Sequence, residues 1–146
     1  AAKDLADMRN RPAASVDEGS AASGAQRALI IEDSADAAES LRLLLTLAGH
    51  TAFVADSGPA AMRFLENETP DITICDIGLP AGMRGYDIAR TVRSQPRFFC
   101  TLMMALTGYG QEDDRQAAIA AGFNLHVTKP MDPEKLDSLM QLSSNR

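Results

Sequence analysis

The 146-residue sequence holds only two cysteines, Cys75 and Cys100, and neither belongs to a C-x-x-C pair. Both sit in or beside apolar strand-like runs. They read as small buried thiols in a reducing cytoplasm, with a disulfide or a reactive thiol as the alternative. No apolar run approaches the roughly 18–20 residues that span a membrane, so no membrane contact is expected of this domain. The secretory pattern of basic start, apolar middle and small-residue cleavage site is missing. Basic clusters are missing too. The net charge of −6 argues against nucleic acid as the main ligand, because phosphate backbones call for Lys and Arg clusters. That charge suits a protein that gathers carboxylates around a cation. Because residue 1 is alanine, the sequence is expected to be a fragment or a processed chain.

What is present fits one globular domain. The chain is 45% hydrophobic and 23% charged, and long enough to bury a core without staples. Residues 1–26 are rich in Ala, Ser and Gly, and almost free of large apolar side chains. They read as a linker or disordered tail, with a short helix at "AAKDLADMRN" as an option. Residues 27–146 then alternate strand and helix signals. The strand signals are "ALII" (28–31), "TAFVA" (51–55), "DITIC" (71–75), "TLMMAL" (101–106) and "NLHVT" (124–128). Between them, Ala38, Leu41, Leu44, Leu45 and Ala48 follow helical spacing, with Asp36 and Glu39 as a capping box and Gly49 as the stop. Ser57 caps a helix carrying Pro59 in its first turn, and "YDIARTVRSQ" must end near Pro96. "QEDDRQAAIAAG" ends at Gly122, and Asp132-Pro133 opens a last helix with Leu136, Leu139 and Met140 on one face. Five such alternations predict an α/β fold, a doubly wound parallel sheet with helices on both faces. The order 2-1-3-4-5 is one common outcome.

In such sheets ligands bind beyond the carboxyl ends of the strands. Strand one ends on Glu32 and Asp33, strand three on Asp76, strand four on Thr107 and strand five on Lys129. The order 2-1-3-4-5 crowds the three acids into one pocket and closes it with Thr107 and Lys129. Carboxylates that close raise one another's pKa or demand a counter-ion. An all-oxygen set suits Mg²⁺, and an ammonium and a hydroxyl beside it suit phosphate oxygens. The set describes a phosphoryl-transfer site in which the central Asp76 could act as nucleophile. Gly78 lets the backbone approach closely enough for a carbonyl to reach the metal, and Pro80 stiffens the turn away.

Four stretches, "IIEDS" (30–34), "ICDIGLP" (74–80), "ALTGYG" (105–110) and "VTKP" (127–130), occur in this order at strand ends. Through them the chain from Ala28 to about Leu142 resembles the receiver (response regulator) domain of two-component signalling. It is most similar to receivers on the C-terminal side of hybrid sensor histidine kinases. The resemblance implies a flavodoxin-like (βα)5 sheet in a cytoplasmic phosphorelay protein. Asp76 would accept the phosphoryl group from the phosphohistidine of a histidine kinase or phosphotransfer protein. Glu32, Asp33, Asp76 and the Gly78 carbonyl would hold Mg²⁺. Thr107 would bind the phosphoryl group, and Lys129 would pair with it, its bond to Pro130 being cis. A changed surface of the fourth helix, fifth strand and fifth helix would then meet a downstream protein partner.

The sequence departs from that pattern in three places. Glu32 stands where many members have Asp. Four residues, "AGMR", separate Pro80 from Gly85 where three are usual, with Arg84 at a place often acidic. His126 occupies the position of a switching Tyr or Phe. It reads as a half-exposed strand residue, with a switch or pH-sensitive element as the alternative. Tyr109 could gate the site, Asp56 reads as an exposed loop acid, and His50 belongs to a helix-to-strand turn. "QEDDR" reads as a solvated helix start that could also shape a partner surface. The competing reading is a Mg²⁺-dependent phosphohydrolase with an aspartyl nucleophile. It lacks the second acid two residues on, where Gly78 stands, and room for a cap. A nucleotide binder would need a glycine-rich phosphate loop after strand one, where acids stand instead. The chain itself has neither a P-loop nor a histidine-bearing kinase helix, so any kinase parts would lie upstream.

Overall fold

Strands β1 (Arg27–Ile31), β2 (Thr51–Ala55), β3 (Ile72–Asp76), β4 (Leu102–Thr107) and β5 (Leu125–Thr128) pair in parallel in the order β2-β1-β3-β4-β5. This is the expected sheet. The structure is a computed structural model that describes residues 25–79, 83–108, 115–129 and 131–144. Helices α1 (Ala35–Leu47), α2 (Gly58–Asn67), α3 (Gly85–Arg93), α4 (Arg115–Ala121) and α5 (Pro133–Ser144) each follow a strand. A 3-10 turn at Pro96–Phe98, which the sequence reading did not foresee, links α3 to β4. The tail through residue 24, the Lys129–Pro130 bond, Tyr109 and the "QEDD" helix start lie outside the described residues.

Alternation of side chains along the strands builds two cores. Ala28, Ile30, Ile72, Ile74, Met104 and Leu106 pack with Ala38, Leu41 and Leu45 of α1 and Leu136 and Met140 of α5. The residues between them, Leu29, Ile31, Cys75, Met103 and Ala105, pack with α2, α3 and α4 through Leu65, Ile88, Val92 and Ala118. Each large apolar side chain fully buried this way contributes about 1.5–3 kcal/mol. Shifting a strand by one residue would exchange the two faces, so the register is strongly specified. Edge strand β2 is the exception, with two of its five residues exposed.

Two local expectations are corrected. Helix α1 is capped by Ser34, whose hydroxyl accepts the Ala37 N–H at 3.3 Å. Asp36 therefore lies inside the first turn, and Glu39 pairs with Arg42 instead of closing a capping box. Cys100 is exposed rather than buried, because β4 begins only at Leu102 and Cys100 still belongs to the connection after the 3-10 turn. Ser57 caps α2 as expected, and the Asp132 carboxylate accepts the Lys135 N–H at 2.7 Å at the start of α5. Gly49 takes φ +96° just past α1, a left-handed stop that only glycine adopts without strain.

The chain enters β1 through Gln26, which is buried. Its backbone N–H donates to His50 Nδ1 at 3.0 Å, and its side-chain amide donates to the Met140 carbonyl of α5. The Nδ1 acceptor must be unprotonated. Burial lowers the His50 pKa below its ordinary 6.5, although Asp137 and Asp71 pull it upward. A folded pKa below the unfolded one means that stability is full above about pH 6.5 and declines as pH falls through that value. Urea unfolding between pH 7.5 and 5 should therefore show a loss of stability that His50→Gln does not share. Parallel pH dependence in the two proteins would contradict this.

Candidate functional site

Strand ends at the sheet's carboxyl edge are tied to their neighbours one residue past the ladder. The Glu32 N–H donates to the Ala55 carbonyl (3.0 Å), Ile77 to Leu106 (3.0 Å) and Lys129 to Thr107 (2.8 Å). Backbone so fixed places the side chains that follow β1, β3, β4 and β5 with little freedom. Carboxylate oxygens of Glu32, Asp33 and Asp76 lie within 4.8 Å of one another. Glu32 is buried and Asp76 nearly so, whereas Asp33 is exposed. Lys129 Nζ reaches Glu32 Oε1 and Asp76 Oδ2, both at 3.2 Å. All five residues singled out in the sequence thus stand at one edge, and four of them are linked as charged neighbours.

Two of the three carboxylates, those of Glu32 and Asp76, are each aimed by a backbone donor. The Ser34 N–H donates to Glu32 Oε2 at 3.1 Å, and the Gly78 N–H donates to Asp76 Oδ1 at 2.8 Å. A Cβ on Gly78 would lie 3.5 Å from Asp76 Oδ1, so the turn passes directly over the acid. Gly85, at the start of α3, packs against the same strand end. A Cβ there would meet the Asp76 carbonyl oxygen at 3.1 Å and Ile77 Cα at 3.2 Å. Sequence reading did not assign Ser34 or Gly85 to the site. The Ser34 role is visible in "EDS" once the serine is taken as the helix cap, but the Gly85 contact is long-range and leaves no local trace. Met83 packs partly buried against the α2–α3–α4 core, and the Arg84 N–H donates to Asp87 at 3.0 Å. Pro80, Ala81 and Gly82 of the longer loop lie outside the described residues.

The electrostatics follow from the geometry. Burial raises the Glu32 pKa and the nearby Asp76 charge adds to it, while the Ser34 N–H and Lys129 oppose. Burial works against the Lys129 ammonium, but Asp76 and Glu32 outweigh it and hold its pKa above the ordinary lysine value. Three acids face one ammonium, so the pocket keeps an excess of negative charge that a hard divalent cation would balance. Thr107 is fully buried, and its Oγ1 has no hydrogen-bond partner among the described residues. A buried hydroxyl without a partner costs free energy and awaits an acceptor. The donor set therefore fits a cation with a phosphoryl oxygen beside it. Asp56 is exposed and outside the cluster, as expected. His126 is half-buried on β5, paired in register with Ala105, and its Nε2 lacks a partner among the described residues.

Fold and site together define a signalling module of two-component systems. The chain belongs to the response regulator receiver domain family, whose pattern spans residues 28–141. It is 37% identical over 113 residues to an uncharacterized 14.6 kDa protein in the sodA1 3′ region of Leptolyngbya boryana, covering 77% of this chain and 86% of that one. It is 31% identical over 102 residues to the transcriptional regulatory protein KdpE of Mycobacterium tuberculosis, covering 70% of this chain and only 43% of KdpE. Among solved structures, it superposes with a TM-score of 0.76 on the receiver domain of the sensor histidine kinase PA1611 from Pseudomonas aeruginosa. The two are 25% identical, with 84% of this chain and 99% of that one covered. That structure carries a magnesium ion in its active site cleft. Among the described residues, no helix of this chain is long and apolar enough to cross a membrane.

Proposed function

We propose that Asp76 accepts a phosphoryl group from the phosphohistidine of a histidine kinase or phosphotransfer protein. The observation that carries this reading is the convergence of Glu32, Asp33 and Asp76 on one point beside the Lys129 ammonium. Glu32, Asp33, Asp76 and the Gly78 carbonyl are the ligands that would hold Mg²⁺. When bound, the ion neutralises the acids and the phosphoryl charge. An Asp76 carboxylate oxygen attacks phosphorus, the P–N bond breaks, and the imidazole leaves with the electron pair. Lys129 exchanges its bond to Asp76 for one to a phosphoryl oxygen, and the Thr107 hydroxyl donates to another. Loss of the Lys129 tether and inward movement of Thr107 pull on β4 and β5. The surface of α4, β5 and α5 is where a downstream partner would read the change.

Likeness to a sensor kinase's receiver supports placement in a hybrid histidine kinase. The free thiols of Cys75 and Cys100 suit the cytoplasm. The phosphohydrolase reading would require an acid two residues beyond Asp76, and Gly78 offers only a backbone N–H there. Stoichiometry separates the two. With acetyl phosphate and Mg²⁺, the chain should take up one phosphoryl group and then hydrolyse it slowly. Rapid multiple turnovers on phosphate esters would favour the hydrolase.

A further inference from the structure

Two glycines mark close approaches beside the turn between β3 and α3, and both concern the same short segment. Gly58 is buried at the start of α2. A Cβ there would lie 2.5 Å from Met83 Cβ, 2.7 Å from Met83 Cγ and 3.0 Å from the Met83 carbonyl oxygen. No Cβ fits at such distances, so Met83 takes this seat only because position 58 is glycine. Two residues on, Gly85 abuts the Asp76 carbonyl oxygen, Ile77 Cα and Cys75 Sγ, which a Cβ would meet at 3.1, 3.2 and 3.3 Å. Residues 83–85 are thus wedged between the start of α2 and the end of β3. Both walls are fastened. Ser57 Oγ accepts the Ala60 N–H at 3.2 Å, and Ala61 and Leu65 bury α2 in the core. The Ile77 N–H donates to the Leu106 carbonyl at 3.0 Å. Strand β2, which leads into α2, is tied to the other acid-bearing strand end through the Glu32 N–H on the Ala55 carbonyl.

We propose that Met83 is a positioning residue for the phosphoacceptor, a role that rests on the reading of Asp76 as phosphoacceptor and Mg²⁺ ligand given above. Seated against Gly58, Met83 pins the far end of the turn that carries Gly78, while Ile77 pins the near end. Held at both ends, the Gly78 N–H stays on Asp76 Oδ1 at 2.8 Å and keeps that carboxylate turned toward Glu32 and Asp33. Met83 acts through Gly78 and makes no contact with the phosphoryl group. Its side chain is partly buried against the core of α2, α3 and α4, so truncation loosens the seat without opening the middle of the sheet. A Cβ at position 58 works from the other side, because it meets Met83 Cβ and backbone, which cannot swing away as a side-chain tip could. Mg²⁺ demands near-ideal octahedral geometry, so carboxylate and carbonyl oxygens that drift by a fraction of an ångström hold it less well. Loss of a group that orients a metal ligand typically costs about 10–100-fold in affinity.

The test compares the ¹⁵N-labelled full chain with Met83→Ala, Met83→Leu and Gly58→Ala. Without metal, the Gly78 amide resonance should move upfield in Met83→Ala and Gly58→Ala as its bond to Asp76 loosens, whereas amides of β1 stay in place. On titration with Mg²⁺, the Kd of these two variants should rise roughly tenfold. Met83→Leu keeps the apolar volume at the seat and should match the wild type in both measurements. Both are read on the folded chain, so a loss of stability alone moves neither. Should Gly58→Ala fail to fold, Met83→Ala and Met83→Leu still decide the matter. An unchanged Gly78 resonance or an unchanged Kd in Met83→Ala, with normal binding by the wild type, would overturn the role of Met83 and leave the cation site standing. Met83→Leu as impaired as Met83→Ala would also overturn it. A wild-type chain with no saturable Mg²⁺ response would overturn both.

Discussion

Asp76→Asn removes Mg²⁺-dependent labelling by acetyl phosphate, with the initial rate falling about a thousandfold or more, to background. An amide is a far weaker nucleophile than a carboxylate, and removing a nucleophile outright typically costs at least this much. The fold should survive, because the asparagine carbonyl still accepts the Gly78 N–H that now meets Oδ1 at 2.8 Å. Losing one of three clustered carboxylates also relieves repulsion. Phosphate incorporation followed by peptide mapping checks both site and extent. Undiminished incorporation in this variant, or a phosphoryl group mapped to Asp33, would remove Asp76 from its role.

Lys129→Met should separate two properties that usually move together. The ammonium bridges Glu32 and Asp76 at 3.2 Å to each, and Glu32 is buried. Without the bridge, both acids face each other with no counter-charge. Breaking a fully buried pair costs about 3–5 kcal/mol, but this lysine side chain is 36% exposed, so about 1–2 kcal/mol is expected in the metal-free protein. The raised Glu32 pKa should rise further. A carboxyl whose folded pKa lies above its unfolded 4.5 is least destabilising below that pH, and its penalty grows as pH rises through the folded pKa. Mg²⁺ affinity should increase several-fold, because a competing cation has left the pocket. Labelling by acetyl phosphate should nonetheless slow by about a hundredfold, since the charge that meets the phosphoryl group is gone. Weaker Mg²⁺ binding, measured by calorimetry, would show that Lys129 does not share the cation's carboxylates.

Much of the scaffold is legible in the sequence, because the sheet is buried on both faces. Runs such as "ALII" and "DITIC" have no competing reading once helices with capped starts stand between them. The site is legible for the same reason. An acid at the end of an apolar run can only point out of the sheet's carboxyl edge, and strand order then decides which acids meet. Features resting on a single residue's local competition were less legible. Ser34 and Asp36 are both good caps, and only the position at which the backbone turns helical distinguishes them. Cys100 reads as buried beside an apolar run, but that strand starts two residues later, after a 3-10 turn with no periodic signal. The Gly85 approach to Asp76 depends on how α3 docks, which no local pattern encodes.

The measurement that bears most directly on the shared cation site is a Mg²⁺ titration followed by amide resonances. Those of Asp33 and Ser34, just after β1, and of Ile77 and Gly78, just after β3, should shift together with one dissociation constant and one ion per chain. The shifts should weaken in Asp33→Asn. Separate constants for the two segments, or no saturable response in either, would contradict the account.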